Sequence, residues 1–222
     1  RKIVQGAHLP SLRELDVSKI WLGQTHLDEL HDGGLLERLT RLDISYNELG
    51  DARLSKLLSQ HDVTSLRSLN LWNTSLEGDF HEVICEKDPL PNIERLDLGN
   101  NRLKSTQACA LLEGGSFQSL RELSFRSNSL GDDPDELSKL PMLPNLEALN
   151  LWSNHLGNNG AIALAASPIL STLRSINLRH NYLGIRGVEA LLSSPHLEQL
   201  EELDLSVNRL DSAAIDLLAR TD

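Results

Sequence analysis

Apolar and polar positions alternate along this chain in a pattern that returns at a fixed interval. The segment Leu-x-x-Leu-x-Leu-x-x-Asn-x-Leu begins at Leu12, Leu39, Leu66, Ile93, Leu120, Leu146, Leu173 and Leu200, in steps of 27 residues with one step of 26. Its Leu-x-Leu core has period two, which buries one face of a short strand and leaves the other free. A polar column follows at Asn47, Asn101, Asn128, Asn154, Asn181 and Asn208, and an Asn there can bond the main chain of its own turn and of its neighbour's. Thr74 can serve in part. Ile20 cannot, so the first copy is expected to have an irregular turn. Behind the motif, apolar residues recur with helical spacing at Leu54, Leu57 and Leu58, at Val188, Leu191 and Leu192, and at Ile215, Leu218 and Ala219. Gly50, Gly131, Gly157 and Gly184 precede these helices, and Pro168 and Pro195 stop them.

Each copy therefore predicts one strand and one helix. A helix is about 10 Å wide, whereas neighbouring strands lie about 4.8 Å apart. Stacking such units opens the helical side and curves the sheet inward. The expected fold class is an α/β solenoid: a right-handed horseshoe with a concave parallel sheet and convex helices. Copy five departs from the pattern: Gly131-Asp-Asp-Pro-Asp-Glu-Leu-Ser-Lys-Leu-Pro-Met-Leu-Pro144 holds three prolines and the deletion, predicting a shortened helix and a kink. Copy three ends irregularly at Lys87-Asp-Pro-Leu-Pro91. Ile3 and Val4 fall where a helix would end, so residues 1–11 read as the close of an upstream repeat. The whole of 1–222 then reads as one repeat domain, expected to be a segment of a longer array or larger protein.

The motif, clearest in Leu173-Arg-Ser-Ile-Asn-Leu-Arg-His-Asn-Tyr-Leu-Gly184, resembles the leucine-rich repeat family over essentially the whole chain. The 27-residue unit with a helix resembles the ribonuclease-inhibitor-like subclass. Ala163-Leu-Ala-Ala-Ser-Pro-Ile-Leu170 also resembles arrays in large bacterial multidomain proteins. Function in such a fold has to be read from its exposed side chains rather than from the fold.

Composition sharpens this. Leucine supplies 48 residues against 3 Phe, 3 Trp, 2 Tyr and 1 Met, so the core is aliphatic and each aromatic needs its own account. No stretch approaches the roughly 20 apolar residues that span a bilayer, and no signal peptide is visible, so a cytoplasmic location is expected. A formal charge of −11 argues against a nucleic-acid footprint, which is normally basic.

The side chains between the leucines should face the concavity. The fifth motif position carries Asp16, Asp43, Asp97 and Asp204, a habit of the repeat that leaves the interior slightly acidic and favours a basic partner surface. The seventh carries Trp72, Arg126, Trp152 and Arg179, with Gly99 leaving a gap in the row. Trp152 should lie beside Arg126 and Arg179, within reach of cation–π contact. All three tryptophans and both tyrosines fall in open columns: Trp72 and Trp152 in the seventh, Tyr46 in the eighth, and Trp21 and Tyr182 in the tenth. Trp, Tyr and Arg dominate binding hot spots. The candidate partner site is therefore Trp72, Arg126, Trp152 and Arg179, rimmed by Tyr46, His155, His180 and Tyr182.

Other chemistry finds little support. No Cys/His pairing has metal-ligand spacing, no Gly-rich phosphate loop is present, and no cofactor is implied. His26 and His31 read as surface or cap residues. Ser153, His180 and Asp204 sit on successive strands but lack a nucleophile elbow or oxyanion donors. Cys85 reads as core, and Cys109, one place off the apolar face, as partly exposed. Asn73-Thr74-Ser75 matches a glycosylation triplet with no secretory context. The leading function is non-enzymatic protein recognition. The alternatives are a regulator of GTPase-activating type using Arg126 or Arg179, and a spacer within a larger protein.

Overall fold

The computed structural model describes residues 9–32, 34–77, 79, 81–115 and 117–220. Ile3, Val4 and Phe80 lie outside that description, as do the side chains of His31 and Cys85.

Eight strands of three residues each form one parallel sheet in chain order: β1 Glu14–Asp16, β2 Arg41–Asp43, β3 Ser68–Asn70, β4 Arg95–Asp97, β5 Glu122–Ser124, β6 Ala148–Asn150, β7 Ser175–Asn177 and β8 Glu202–Asp204. Each pairs with the next in the register the motif dictates, so that Leu42, Leu69, Leu96, Leu123, Leu149 and Ile176 form one buried row. The crossovers carry helices α1 Gln24–Asp32, α2 Gly50–Gln60, α3 His81–Lys87, α4 Ser105–Gly114, α5 Pro134–Leu137, α6 Gly157–Ala165 and α7 Ile185–Leu192; α8 Ser212–Leu218 follows β8. Leu54, Leu57 and Leu58 of α2, and Val188 and Leu191 of α7, are buried against the leucines of the strands. The aliphatic core runs unbroken from Leu22 to Leu205. In α8 the spacing misjudges the inward face: Ala214 is buried while Ile215 is 55% exposed, and among the described helices α8 packs on α7.

The Asn column works as a ladder. Asn101 donates through Nδ2 to the carbonyls of Leu71 (2.7 Å), Leu98 (3.1 Å) and Gly99 (3.0 Å), and its Oδ1 accepts from the amides of Thr74 (2.9 Å) and Leu76 (3.2 Å). The side chain thus holds its own turn and the turn of the preceding repeat. This corrects the expectation of an irregular first turn. Asn47 supplies the acceptor for Ile20 N (3.2 Å) and Leu22 N (2.9 Å), and Lys19 and Trp21 keep the left-handed backbone of the other copies. The turn amides are held by the Asn of the repeat after, so Ile20 leaves its own turn's amides satisfied and forgoes only carbonyl contacts of the kind that Asn47 makes to Ile44 and Ser45.

Copy five is shortened as predicted: a 3-10 turn at Leu130–Asp132 leads into α5, only four residues long. At the edge of the sheet where the strands begin, the second motif position alternates in charge. Ion pairs join Arg67 to Glu94, Arg121 to Glu147 and Arg174 to Glu201.

Candidate functional site

The open face of the sheet and the turns that leave it form one continuous surface. The fifth-position side chains set the direction in which the chain leaves each strand. Asp16, Asp43, Asn70, Asp97, Asn150, Asn177 and Asp204 each accept the amide two residues on, at 2.8–3.0 Å. Asn and Asp interchange here because either side-chain oxygen closes the turn. The acidic column is thereby explained as turn chemistry. The Ser18 hydrogen bonds hold the Asp16 carboxyl below the usual carboxylate range. Those from Ser206 do the same at Asp204, with Arg179 adding a smaller effect. Ser124, the one exception, has a buried and unpartnered Oγ.

The seventh position then projects from the end of each strand. Trp72 and Arg126 sit two strands apart, and Gly99 between them lets them meet. The Arg126 guanidinium lies 4.0 Å from the centre of the Trp72 ring. A Cβ at Gly99 would stand 2.2 Å from that ring and 2.8 Å from Arg126 Cγ. Asp97 fixes the other side of the guanidinium, Oδ2 to Nη2 at 3.1 Å. The sequence set Trp152 beside Arg126; in the structure Arg126 takes Trp72 instead, because the missing side chain at Gly99 opens the longer path. Trp152 is half-buried, and Arg179 is exposed with one hydrogen bond, Nη1 to Ser206 Oγ at 3.2 Å. Below this row the sheet floor forms a trough of about 450 Å³ lined by Arg41, Arg95, Asp97, Glu122 and Asn150 among others.

The eighth position is left-handed in all eight repeats: Lys19, Tyr46, Asn73, Asn100, Ser127, Ser153, His180 and Val207 have φ of 52–57°. Such a conformation costs a non-glycine residue roughly 1–2 kcal/mol. Because every copy adopts it, the strain belongs to the repeat and marks no particular residue as functional. It turns the eighth and tenth side chains onto a rim above the sheet. There His155 stacks on Tyr182 (5.5 Å, 22°), His180 tilts against the same ring (5.6 Å), and Arg209 covers it at 4.7 Å. At the other end of the rim, Lys19 lies 4.3 Å from the Tyr46 ring centre. A cleft of about 320 Å³ there is lined by Lys19, Trp21, Tyr46, Glu48, Asn73 and Ser75. Trp21 is 81% exposed, the most open large apolar side chain described. It was absent from the candidate set, though its tenth-column position, shared with Tyr182, was signal enough.

The eight candidates therefore divide into a sheet-end row and a turn rim, with the Tyr182 cluster and Tyr46 at opposite ends of that rim. Ser153 Oγ and His180 Nδ1 do lie 3.2 Å apart, closer than strand geometry alone predicts, but Asp204 turns away to Ser206 N at 2.8 Å, so no triad forms. Cys109 is buried rather than partly exposed; burial pushes its thiol up to about 11, and Sγ sits 3.0 Å from the Glu136 carbonyl. Asn73 Oδ1 accepts from Asn100 Nδ2 at 2.8 Å. Among the described residues no group of three or more His, Cys, Asp or Glu could hold a metal, and no helix is long and apolar enough to cross a membrane.

One parallel sheet built from strand–turn–helix units, tied by an Asn ladder, defines the chain as an α/β solenoid repeat protein. Leucine-rich repeat models match residues 38–58, 119–140, 143–165 and 170–192. The chain belongs to the leucine-rich repeat family. It is similar to tubulin-folding cofactor E of Arabidopsis thaliana, 32% identical over 154 residues, covering 68% of this chain and 27% of that protein. It is also similar to NLR family CARD domain-containing protein 4 of Bos taurus, 38% identical over 108 residues, covering 46% and 10%. The chain thus spans about a quarter and a tenth of these relatives' lengths. Among solved structures it resembles the leucine-rich repeat-containing protein LegL7 from Legionella pneumophila, with 17% identity, a TM-score of 0.62, and coverage of 95% of this chain and 73% of that one. It also resembles a chain of the yeast Rad7 and Elc1 complex, with 21% identity, a TM-score of 0.57, and coverage of 95% and 61%.

Proposed function

We propose that this chain is a non-enzymatic protein-recognition scaffold of ribonuclease-inhibitor-like build, working in the cytoplasm. Its partner seats on the sheet-end row of Trp72, Arg126, Trp152 and Arg179 and on the rim residues Tyr46, His155, His180 and Tyr182. The observation that carries this is the Trp72–Arg126 stack across Gly99. An indole and a guanidinium, the two groups richest in hot spots, are ordered before any partner arrives. Ordering in advance removes an entropic cost of about 0.5–1.5 kcal/mol per side chain from binding. Tubulin-folding cofactor E, a relative, is named for action on another protein, which accords with this reading. The same stack argues against Arg126 as a donated catalytic arginine, because Trp72 and Asp97 already hold its guanidinium.

Affinity capture from a cell extract tests the proposal, comparing the parent chain with Trp72→Ala, Trp152→Ala and the convex-side control Ile162→Asp. Each Trp variant is expected to weaken the captured partner by about 2 kcal/mol, roughly thirtyfold, with thermal unfolding unchanged. Ile162→Asp should leave capture intact. Equal capture by all four folded proteins would overturn the assignment of the surface; no specific capture by any of them would leave the spacer reading standing.

A further inference from the structure

The wall formed by the sheet end and the rim changes sign along the solenoid. In the first three repeats it carries Asp16, Asp43 and Glu48 against Lys19. From the fourth repeat on it carries Arg102, Arg126, Arg179 and Arg209, with His155 and His180, against Asp97 and Asp204. Both of those acids are engaged: Asp97 with Arg126 and the Gly99 amide, Asp204 with the Ser206 amide. Elsewhere the arginines beside the sheet are largely neutralised, as Arg67, Arg95, Arg121 and Arg174 each pair with a glutamate. Arg102, Arg179 and Arg209 make no ion pair with any described residue, and all three are exposed. In a chain of net charge −11, an unpaired cationic strip is a local exception. The expectation of a basic partner rested on the aspartate column; its carboxylates keep their charge while closing the turns, but only Asp97 and Asp204 of that column lie in repeats four to eight.

We infer that repeats four to eight bind an acidic, Asp/Glu-rich protein segment lying across the strands, from the Arg102 turn to the Arg209 turn. This rests on the partner-binding surface proposed above and specifies the chemistry of what fills it. Four strand spacings of about 4.8 Å give a strip near 20 Å, the length of roughly six extended residues. Carboxylates meet the guanidiniums as charge-assisted hydrogen bonds. The half-buried Trp152 indole and the His155–Tyr182 stack offer apolar contact between them. A polynucleotide fits less well: its phosphates continue past the strip into the acids of repeats one to three, under the repulsion of the whole chain.

Fluorescence polarisation tests this on the folded chain. The probes are a labelled Asp/Glu-rich peptide with one central Leu, its Lys-for-acid counterpart, and a single-stranded oligonucleotide of equal length. The acidic peptide should bind, weaken as salt is raised, and lose about tenfold or more in affinity in Arg179→Glu and in Arg209→Glu. Arg186→Glu, an equal charge change on α7 outside the rim, should leave binding within about twofold. Tighter binding of the basic peptide or the oligonucleotide, no binding of the acidic one, or an equal loss in Arg186→Glu would overturn the inference. If the basic peptide binds and Trp152→Ala abolishes that binding, the surface stands and only its sign is wrong. If Trp152→Ala changes neither peptide binding nor affinity capture, the surface itself falls.

Discussion

Two glycines show how differently the same substitution acts at two points of one surface. At Gly99 an added Cβ meets the Trp72 ring and Arg126 Cγ, both parts of half-exposed side chains that can swing outward. At Gly131 it meets the main chain of the next repeat, 2.3 Å from the His155 carbonyl oxygen and 2.8 Å from Leu156 Cα. Gly131→Ala is therefore expected to lose about 2 kcal/mol or more in denaturant unfolding, the cost of overpacking against rigid backbone. Gly99→Ala should lose under about 1 kcal/mol while breaking the indole–guanidinium stack, seen as increased quenching of Trp72 fluorescence. The columns holding these residues were legible in the sequence, because a period of two fixes which side chains leave the core. Their pairing was not: Arg126 could reach Trp72 or Trp152, and only the depth of the Gly99 notch decides. Cys109 was misjudged for a related reason, since helical spacing gives a face but not how deeply a neighbouring helix covers its edge.

The Asn ladder is where strand, turn and helix become one unit. Asn101 makes five hydrogen bonds of 2.7–3.2 Å to buried main-chain groups, two of them to the amides of the preceding repeat. Thr74 in the same column gives one main-chain bond, Oγ1 to the Leu71 carbonyl at 2.7 Å. Leaving buried groups unpaired costs about 1–3 kcal/mol each. Asn101→Ala should thus destabilise by about 3 kcal/mol and Thr74→Ala by about 1 kcal/mol, measured as shifts in the urea midpoint at constant slope. The repeat, its strand and its helix were all readable from the sequence, and so was the ladder. Its direction was not, because the motif looks the same whether an Asn serves the repeat before or after it; Ile20 shows the answer.

Among the described residues the strand pairings and the main helix contacts run between neighbouring repeats, so stability is passed along the array and its weakest link can open first. The expected weak link is repeat five, where α5 supplies four residues between the longer helices α4 and α6. Amides of residues 130–143 are expected to exchange with solvent faster than those of α4 and α6 under native conditions, read by hydrogen exchange and mass spectrometry. Equal protection throughout would show that the short helix is no weak point. The prolines and the deletion made this junction visible in the sequence.

The alternating row of Arg67, Glu94, Arg121, Glu147, Arg174 and Glu201 carries a consequence for how such a gene segment can grow or shrink. Excising a single unit between Arg67 and Arg121 would bring two guanidiniums side by side, whereas excising two would restore an opposite-charge couple. Each couple contributes little, about 0–1 kcal/mol when exposed, yet its sign follows parity. Along this edge, loss or gain of an even number of units keeps opposite charges adjacent, and an odd number does not.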